Sequence, residues 1–244
     1  MRTLSIDCGG SGIKGALLDE AGDMVTPRRR VSTPYPIDPD AFVEVLAGIA
    51  EGMGPFERVT VGLPGIVRHG VIVTTPHYIT VAGPHSPIDP QLRQQWCGFD
   101  LGARLESLWG VPVRVLNDAQ VQGAAVITGT GYEVMFTLGT GLGCAMFDDG
   151  RILPKLELSR APVRKGVIYD EWVGAAARKQ IGRKRWEKRV LGVIEGLRPR
   201  FVWDRLYLGG GEAKRLRGPL PPDVEVVPNI MGIRGGSRVW DLAL

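Results

Sequence analysis

The chain has 244 residues, 44% hydrophobic and 23% charged, enough for one large domain or two small α/β lobes with a buried core. It contains no apolar run long enough to span a membrane, and no basic stretch followed by an apolar one at its start, so neither a span nor a secretory leader is expected. A net charge of +4 and an isoelectric point near 9.1 favour anionic ligands, while helix-turn-helix, zinc-finger and aromatic RNA-binding patterns are missing, so no nucleic-acid partner is expected.

Alternation of Leu4 and Ile6 with Thr3 and Ser5 predicts a first strand in "RTLSID". "IKGALLDEAGDMV" predicts a second strand and a turn at Ala21 to Asp23, and "RRRVSTPYP" continues the meander. Residues 39 to 52 have apolar residues at helical spacing, with Pro39 suited to a first turn. "RVTVGLPGIV" and "GVIVTTP" read as strands, and residues 76 to 90, rich in Pro, Gly and His, as a long surface loop. "GFDLGARLESLWG" is helical and stops at Gly110, and "VPVRVLND" is a buried strand followed by the helix "AQVQGAAVITG". "EVMFTLGTGLGCAMFDDGRILP" reads as two strands about a glycine turn. Residues 169 to 197 read as helical, with Trp186, Val190, Val193, Ile194 and Leu197 on one face. "DRLYLGGGEAKRL" reads as strand, glycine turn and helix, and "VEVVPN" as a last strand before a terminal helix.

Strands alternating with helices imply an α/β protein, and the strand–turn–strand unit of the N-terminus recurs at 133 to 152. Two related lobes are therefore expected, 1–113 and 114–244, with a terminal helix at about 230–244 that packs back on the first.

Three glycine-rich turns each follow a strand: "DCGGSGIKG", "TLGTGLG" and "LGGGE". Glycine lets backbone N–H groups approach an anion, and the neighbouring hydroxyls add donors. None matches the P-loop or the dinucleotide fingerprint, which excludes a Walker-type ATPase and a Rossmann dehydrogenase. Asp7 and Asp118 each end a predicted strand, where ligands bind in open α/β sheets. Beside a phosphate loop, Asp7 suits Mg²⁺ or its waters, and Asp118 suits the base that takes a proton from an attacking hydroxyl. A competing reading makes "ND" a helix cap.

The segments "DCGGSGIKGALLDE", "VGLPGIVRHG", "VLNDAQVQG", "TLGTGLGCAMFDDGRILP" and "LYLGGGEAKRL", in this order and spacing, resemble the ROK family of sugar kinases, most closely its polyphosphate- or ATP-dependent glucokinase branch. The resemblance implies an actin-like, ribonuclease-H-like ATPase fold, with two lobes around a central cleft. It implies a first phosphate loop of Gly9, Gly10, Ser11, Gly12 and Lys14, with Asp7 near Mg²⁺. Thr137, Gly139, Thr140 and Gly141 would form a second loop, and Gly209, Gly210 and Gly211 would lie by the distal part of the donor. Gly65 would line the sugar pocket, Asn117 and Glu157 would hold sugar hydroxyls, and Asp118 would deprotonate the 6-hydroxyl.

The expected activity is phosphoryl transfer from polyphosphate or ATP to glucose or a related hexose, by a cytoplasmic enzyme that is a homodimer by resemblance. One departure stands out: the family's E-x-G-H reads "ELSR" here, with Ser159 for glycine and Arg160 for the sugar-contacting histidine. A guanidinium is permanently charged and longer than imidazole. The alternative is therefore a relative of altered specificity, or one that binds sugar or polyphosphate without turnover.

The three cysteines, Cys8, Cys97 and Cys144, are far apart and show no C-x-x-C spacing, which argues against zinc and a disulfide framework. His69, His77 and His85 lack metal-ligand spacing and read as loop residues, His77 falling where relatives place a sugar-facing residue. With the first glycine turn at the start of the chain, the DNA-binding extension of ROK repressors is not expected. The basic stretch "ARKQIGRKRWEKRV" reads either as a solvated helix face or as a rail for a long polyanion.

Overall fold

The computed structural model describes residues 1–84 and 86–244; His85 lies outside the described residues. The chain divides into two compact units, Met1–Ala125 with Gly232–Asp241, and Val126–Met231 with Leu242–Leu244.

In the first unit, β1 (Thr3–Gly9) and β2 (Gly12–Leu18) form an antiparallel hairpin, extended by β3 (Arg29–Val31). Helix α1 (Pro39–Ala50) starts where the Asp38 carboxylate accepts the Ala41 N–H at 2.8 Å, with Pro39 at the position that needs no N–H. Then come β4 (Arg58–Leu63), the small hairpin of β5 (Ile66–Arg68) and β6 (Val71–Thr74), and two helices, α2 (Pro90–Trp96) and α3 (Leu101–Trp109). Strand β7 (Val113–Asn117) leads into α4 (Asp118–Ala124). The sheet order is β3-β2-β1-β4-β7, with β1, β4 and β7 parallel. Because β7 pairs with β4, both it and α4 belong to the first unit, on the far side of the 113/114 boundary suggested by the sequence.

Helix α2 is absent from the sequence reading, which runs the loop through Pro90. Asp89 accepts from the Gln91 and Leu92 N–H groups, and only Leu92 and Trp96 are buried, too few for a periodic signal. The core gathers Leu4, Ile6, Val59 and Val61 of the sheet with a ring cluster of Phe42, Tyr78 and Trp96, whose centroids are 4.9 to 5.3 Å apart.

The second unit repeats the plan. β8 (Tyr132–Leu138) and β9 (Leu142–Asp148) form a hairpin extended by β10 (Arg151–Ile152). A hairpin the sequence reading lacks, β11 (Pro162–Arg164) with β12 (Val167–Ile168), precedes the helices. The helical stretch is three pieces, α5 (Tyr169–Val173), α6 (Ala175–Ile181) and α7 (Arg183–Phe201). They break at Gly174, where a Cβ would stand 2.2 Å from the Thr140 carbonyl oxygen, and at Gly182, which has φ +79°. The face predicted from Trp186 to Leu197 is buried, and Trp186 Nε1 donates to the Val173 carbonyl at 2.7 Å.

β13 (Arg205–Gly209) and β14 (Val224–Val226) complete the order β10-β9-β8-β13-β14, with β8, β13 and β14 parallel. After the third glycine turn the predicted helix is a single 3₁₀ turn, Ala213–Arg215. The terminal helix, Met231–Arg238, enters the first unit at Gly232 and sets Ile233 against Ala16 and Leu18. Among the described residues, no helix is long and apolar enough to cross a membrane.

Candidate functional site

The first unit collects its candidate residues at the carboxyl ends of β1, β4 and β7. Asp7 stands directly across the hairpin from Lys14, and Nζ donates to Oδ2 at 2.9 Å, with each side chain about one-fifth exposed. Gly9 pairs with Gly12, which leaves Gly10 and Ser11 as the turn. The next residue inward, Cys8, is buried. Burial raises its thiol pKa well above the usual value, reinforced by the Asp7 and Asp118 carboxylates, so both acids lie near one buried sulfur.

Gly65 has φ +118°, and a Cβ there would lie 2.1 Å from the Thr74 carbonyl oxygen. Its own carbonyl accepts from Asn117 Nδ2 at 2.9 Å. Asn117 is also the N-cap of α4: Oδ1 accepts the Ala119 N–H at 3.0 Å, and Gln120 Oε1 accepts the Asn117 N–H at 3.1 Å. The cap reading and the site reading thus meet in one residue, which is 2% exposed. Asp118 opens the helix, half-buried, with Oδ1 accepting the Ala119 N–H at 2.9 Å.

In the second unit the two remaining glycine turns end neighbouring strands, since Gly209 of β13 sits opposite Thr137 of β8. Gly139, Thr140 and Gly141 close the β8–β9 hairpin, with the Gly139 N–H bonded to the Gly141 carbonyl at 3.0 Å. The Gly139 carbonyl accepts from Ala175 N at the start of α6, and Asp170 accepts from Leu142 N at 2.7 Å. Gly141 has no room for a Cβ, which would overlap the Asp170 carboxylate. Gly210, at φ +84°, would place one 2.3 Å from the Leu138 carbonyl oxygen. Gly139 and Gly211 differ: a Cβ on either meets no heavy atom within 4 Å, so their bareness serves no packing.

Glu157 precedes and Arg160 ends a 3₁₀ turn, Leu158–Arg160, in the second unit. The Ser159 hydroxyl donates to Glu157 Oε1 at 2.6 Å, and Arg160 is exposed. In the basic stretch, Arg178 pairs with Glu212 and Arg183 with Glu187, and Arg189 lies 3.6 Å over the Trp172 ring; Lys179, Lys184, Arg185 and Lys188 are exposed.

Among the described residues no three His, Cys, Asp or Glu side chains cluster as metal ligands. A single carboxylate such as Asp7 fits an ion of the Mg²⁺ kind, which takes one or two protein carboxylates and completes its shell with phosphate oxygens and water.

Missing from the sequence reading are the contacts that hold the first turn. Thr33 Oγ1 donates to the Gly9 carbonyl at 2.7 Å and Tyr35 OH to the Gly10 carbonyl at 2.9 Å. Nothing in the pattern of "RRRVSTPYP" marks either residue.

The family model described as "ROK family" matches residues 3–154. A polyphosphate glucokinase of Mycobacterium tuberculosis is 29% identical over 95% of this chain and 88% of its own length. An inorganic polyphosphate/ATP-glucomannokinase from Arthrobacter sp. strain KM superposes with a TM-score of 0.79 at 27% identity, covering 98% of this chain and 97% of that one. A ROK family glucokinase from Streptomyces griseus, in complex with glucose and AMPPNP, superposes with a TM-score of 0.75 at 17% identity, over 98% and 99% of the two chains.

Proposed function

The chain belongs to the ROK family and has its actin-like ATPase fold, and from that premise we propose that it is a hexokinase-type phosphotransferase, moving a phosphoryl group from polyphosphate or ATP to the 6-hydroxyl of glucose or a related hexose. The observation that carries the reading is the set of residues at the ends of β1, β4 and β7: Asp7 with Lys14, a glycine turn, Gly65 tied to Asn117, and Asp118 opening a helix.

In this reading Asp118 takes the proton of the 6-hydroxyl as its oxygen attacks the terminal phosphorus and the bond to the leaving phosphate breaks. The Ala119 N–H fixes one oxygen of that carboxylate. Asn117 spends its amide on the Gly65 carbonyl and its oxygen on the helix, so it sets the pocket wall and the position of Asp118 together. Gly65 lines the sugar pocket, and Glu157, held by Ser159, and Arg160 are the partners of further sugar hydroxyls.

The first turn, Gly9 to Gly12 with Lys14, and the turns at Thr137 to Gly141 and Gly209 to Gly211 offer N–H and hydroxyl donors to the phosphates. Open space at Gly139 and Gly211 supports that role. Mg²⁺, held by Asp7 together with the donor, supplies charge neutralisation when bound. The proposal includes a cytoplasmic homodimer that acts on small molecules, with neither nucleic acid nor membrane as partner.

The test is a coupled glucose-6-phosphate assay with Mg²⁺, run with ATP and with polyphosphate, on the wild-type chain and on Asp118→Asn. Turnover with either donor that falls about a thousandfold in the variant, with donor affinity retained, is the expected result. No turnover with either donor in folded protein refutes the hexose reading, and full activity in Asp118→Asn refutes the base.

A further inference from the structure

A strap of residues 30–35 covers the first glycine turn and takes up three consecutive carbonyl oxygens. Thr33 Oγ1 binds that of Gly9 at 2.7 Å, Tyr35 OH that of Gly10 at 2.9 Å, and Arg30 Nη2 that of Ser11 at 3.4 Å. Both ends of the strap are anchored. β3 pairs Arg30 with Lys14 of β2, and the buried Trp96 donates Nε1 to the Ile37 carbonyl at 2.9 Å.

In a planar trans peptide the C=O of one residue and the N–H of the next point in opposite directions. Fixing the Gly9 carbonyl therefore aims the Gly10 N–H away from the strap, and fixing the Gly10 carbonyl does the same for Ser11. A turn lacking these bonds could rotate either peptide and present oxygen to an anion, which repels it. Two further contacts tighten the fit: a Cβ at Gly10 would lie 2.6 Å from Pro84 Cγ, and one at Gly12 2.8 Å from Arg30 Nη2. The Pro84 ring leaves no room for a side chain at Gly10, whereas at Gly12 only the movable end of Arg30 stands in the way. The Arg30 guanidinium is exposed and makes no ion pair among the described residues, so its remaining donors are available to an anion at the turn.

We propose that Thr33 and Tyr35 are positioning residues for the phosphoryl donor, locking two turn peptides with their N–H groups toward its phosphates, and that Arg30 adds a cation to the same phosphates. This rests on the reading of the turn as a donor loop. Burial raises the Tyr35 phenol to about 12, so it remains a hydrogen-bond donor throughout the working pH range.

The variants are Tyr35→Phe, Thr33→Val, Thr33→Ser and Arg30→Gln, in the full chain. Steady-state kinetics with both donors is combined with calorimetric binding of tripolyphosphate and of a non-hydrolysable ATP analogue, and melting curves verify folding. Tyr35→Phe and Thr33→Val should each raise the donor KM and Kd about fivefold, and Arg30→Gln about tenfold, with the hexose KM unchanged. Thr33→Ser, which keeps the hydroxyl, should behave as wild type.

Unchanged donor affinity in Tyr35→Phe and Thr33→Val overturns the inference. So does a parallel loss of hexose and donor affinity, or a Thr33→Ser variant as weak as Thr33→Val. If the wild-type chain binds donor but phosphorylates no hexose, the proposed function fails and the donor affinities alone judge the strap. If it binds neither donor, both fall.

Discussion

Alanine at Gly210 and at Gly211 separates glycines the fold needs from those the chemistry needs. At Gly210 the backbone has φ +84°, a region that costs an L-residue about 1–2 kcal/mol. The new Cβ would also stand 2.3 Å from the oxygen and 2.7 Å from the nitrogen of Leu138, both backbone atoms of β8, and forcing such overlap costs about 1–3 kcal/mol more. The sum is roughly 3 kcal/mol, a fall in Tm of roughly 9 °C for a chain of this size. At Gly211 the methyl meets nothing within 4 Å and the backbone is outside the left-handed region, so stability should hold within about 0.5 kcal/mol. The same methyl occupies the space proposed for donor phosphates, and the donor KM should rise about tenfold, equivalent to about 1.4 kcal/mol. Thermal unfolding followed by circular dichroism, with donor kinetics on the same samples, reads both effects. A Gly210→Ala protein that melts within about 2 °C of wild type refutes the steric argument, and Gly211→Ala with an unchanged donor KM removes Gly211 from the donor site.

Asn117→Ala deletes the α4 cap and leaves the buried Gly65 carbonyl without its donor, for a loss of about 2–4 kcal/mol in urea unfolding; a loss under about 1 kcal/mol would show that the cap carries little. The Arg198 guanidinium holds Asp223 below the usual carboxylate pKa against the effect of burial, helped by Trp203 Nε1 at 2.8 Å. A depressed folded pKa means stability that is complete above the unfolded value, about 3.9, and is lost as pH falls further. The stability difference between wild type and Asp223→Asn should accordingly shrink from about pH 5 to about pH 3, and a growing difference would contradict the assignment. Burial raises Cys8 well above its ordinary pKa and Cys144 to about 12, whereas Cys97 is exposed. Iodoacetamide at about pH 8 should therefore add once to the native chain and three times after denaturation, and two native adducts would contradict the burial of Cys8 or Cys144.

Local pattern determined much of this protein. The strand in "RTLSID", the helical spacing after Pro39 and the apolar face from Trp186 to Leu197 are each recorded within a few residues. Period tracks burial along the helices, while β1 buries Thr3 and Ser5 as fully as Leu4 and Ile6. The three glycine turns were readable just as locally, whereas the two aspartates read as strand ends sit elsewhere: β1 runs past Asp7 to Gly9, and Asp118 is the first residue of α4. Short elements were not: α2 buries two side chains and β11–β12 spans seven residues, so neither has a period to detect. The helix expected after Gly211 shortened to one turn, and the single helical stretch at 169 to 197 broke at glycines whose bareness is dictated by Thr140 and by a left-handed φ.

Tertiary structure alone decided the pairing order in each unit and the contacts by which Gly232–Asp241 joins residues from the other end of the chain. Ser5 Oγ finds the Ile233 carbonyl at 2.7 Å across 228 positions. It also decided that Asn117 caps a helix while bonding Gly65, and that Thr33 and Tyr35 hold the turn between Gly9 and Gly12. A hydrogen bond between distant residues depends on register and packing accumulated over the whole sheet, which no local window of sequence contains.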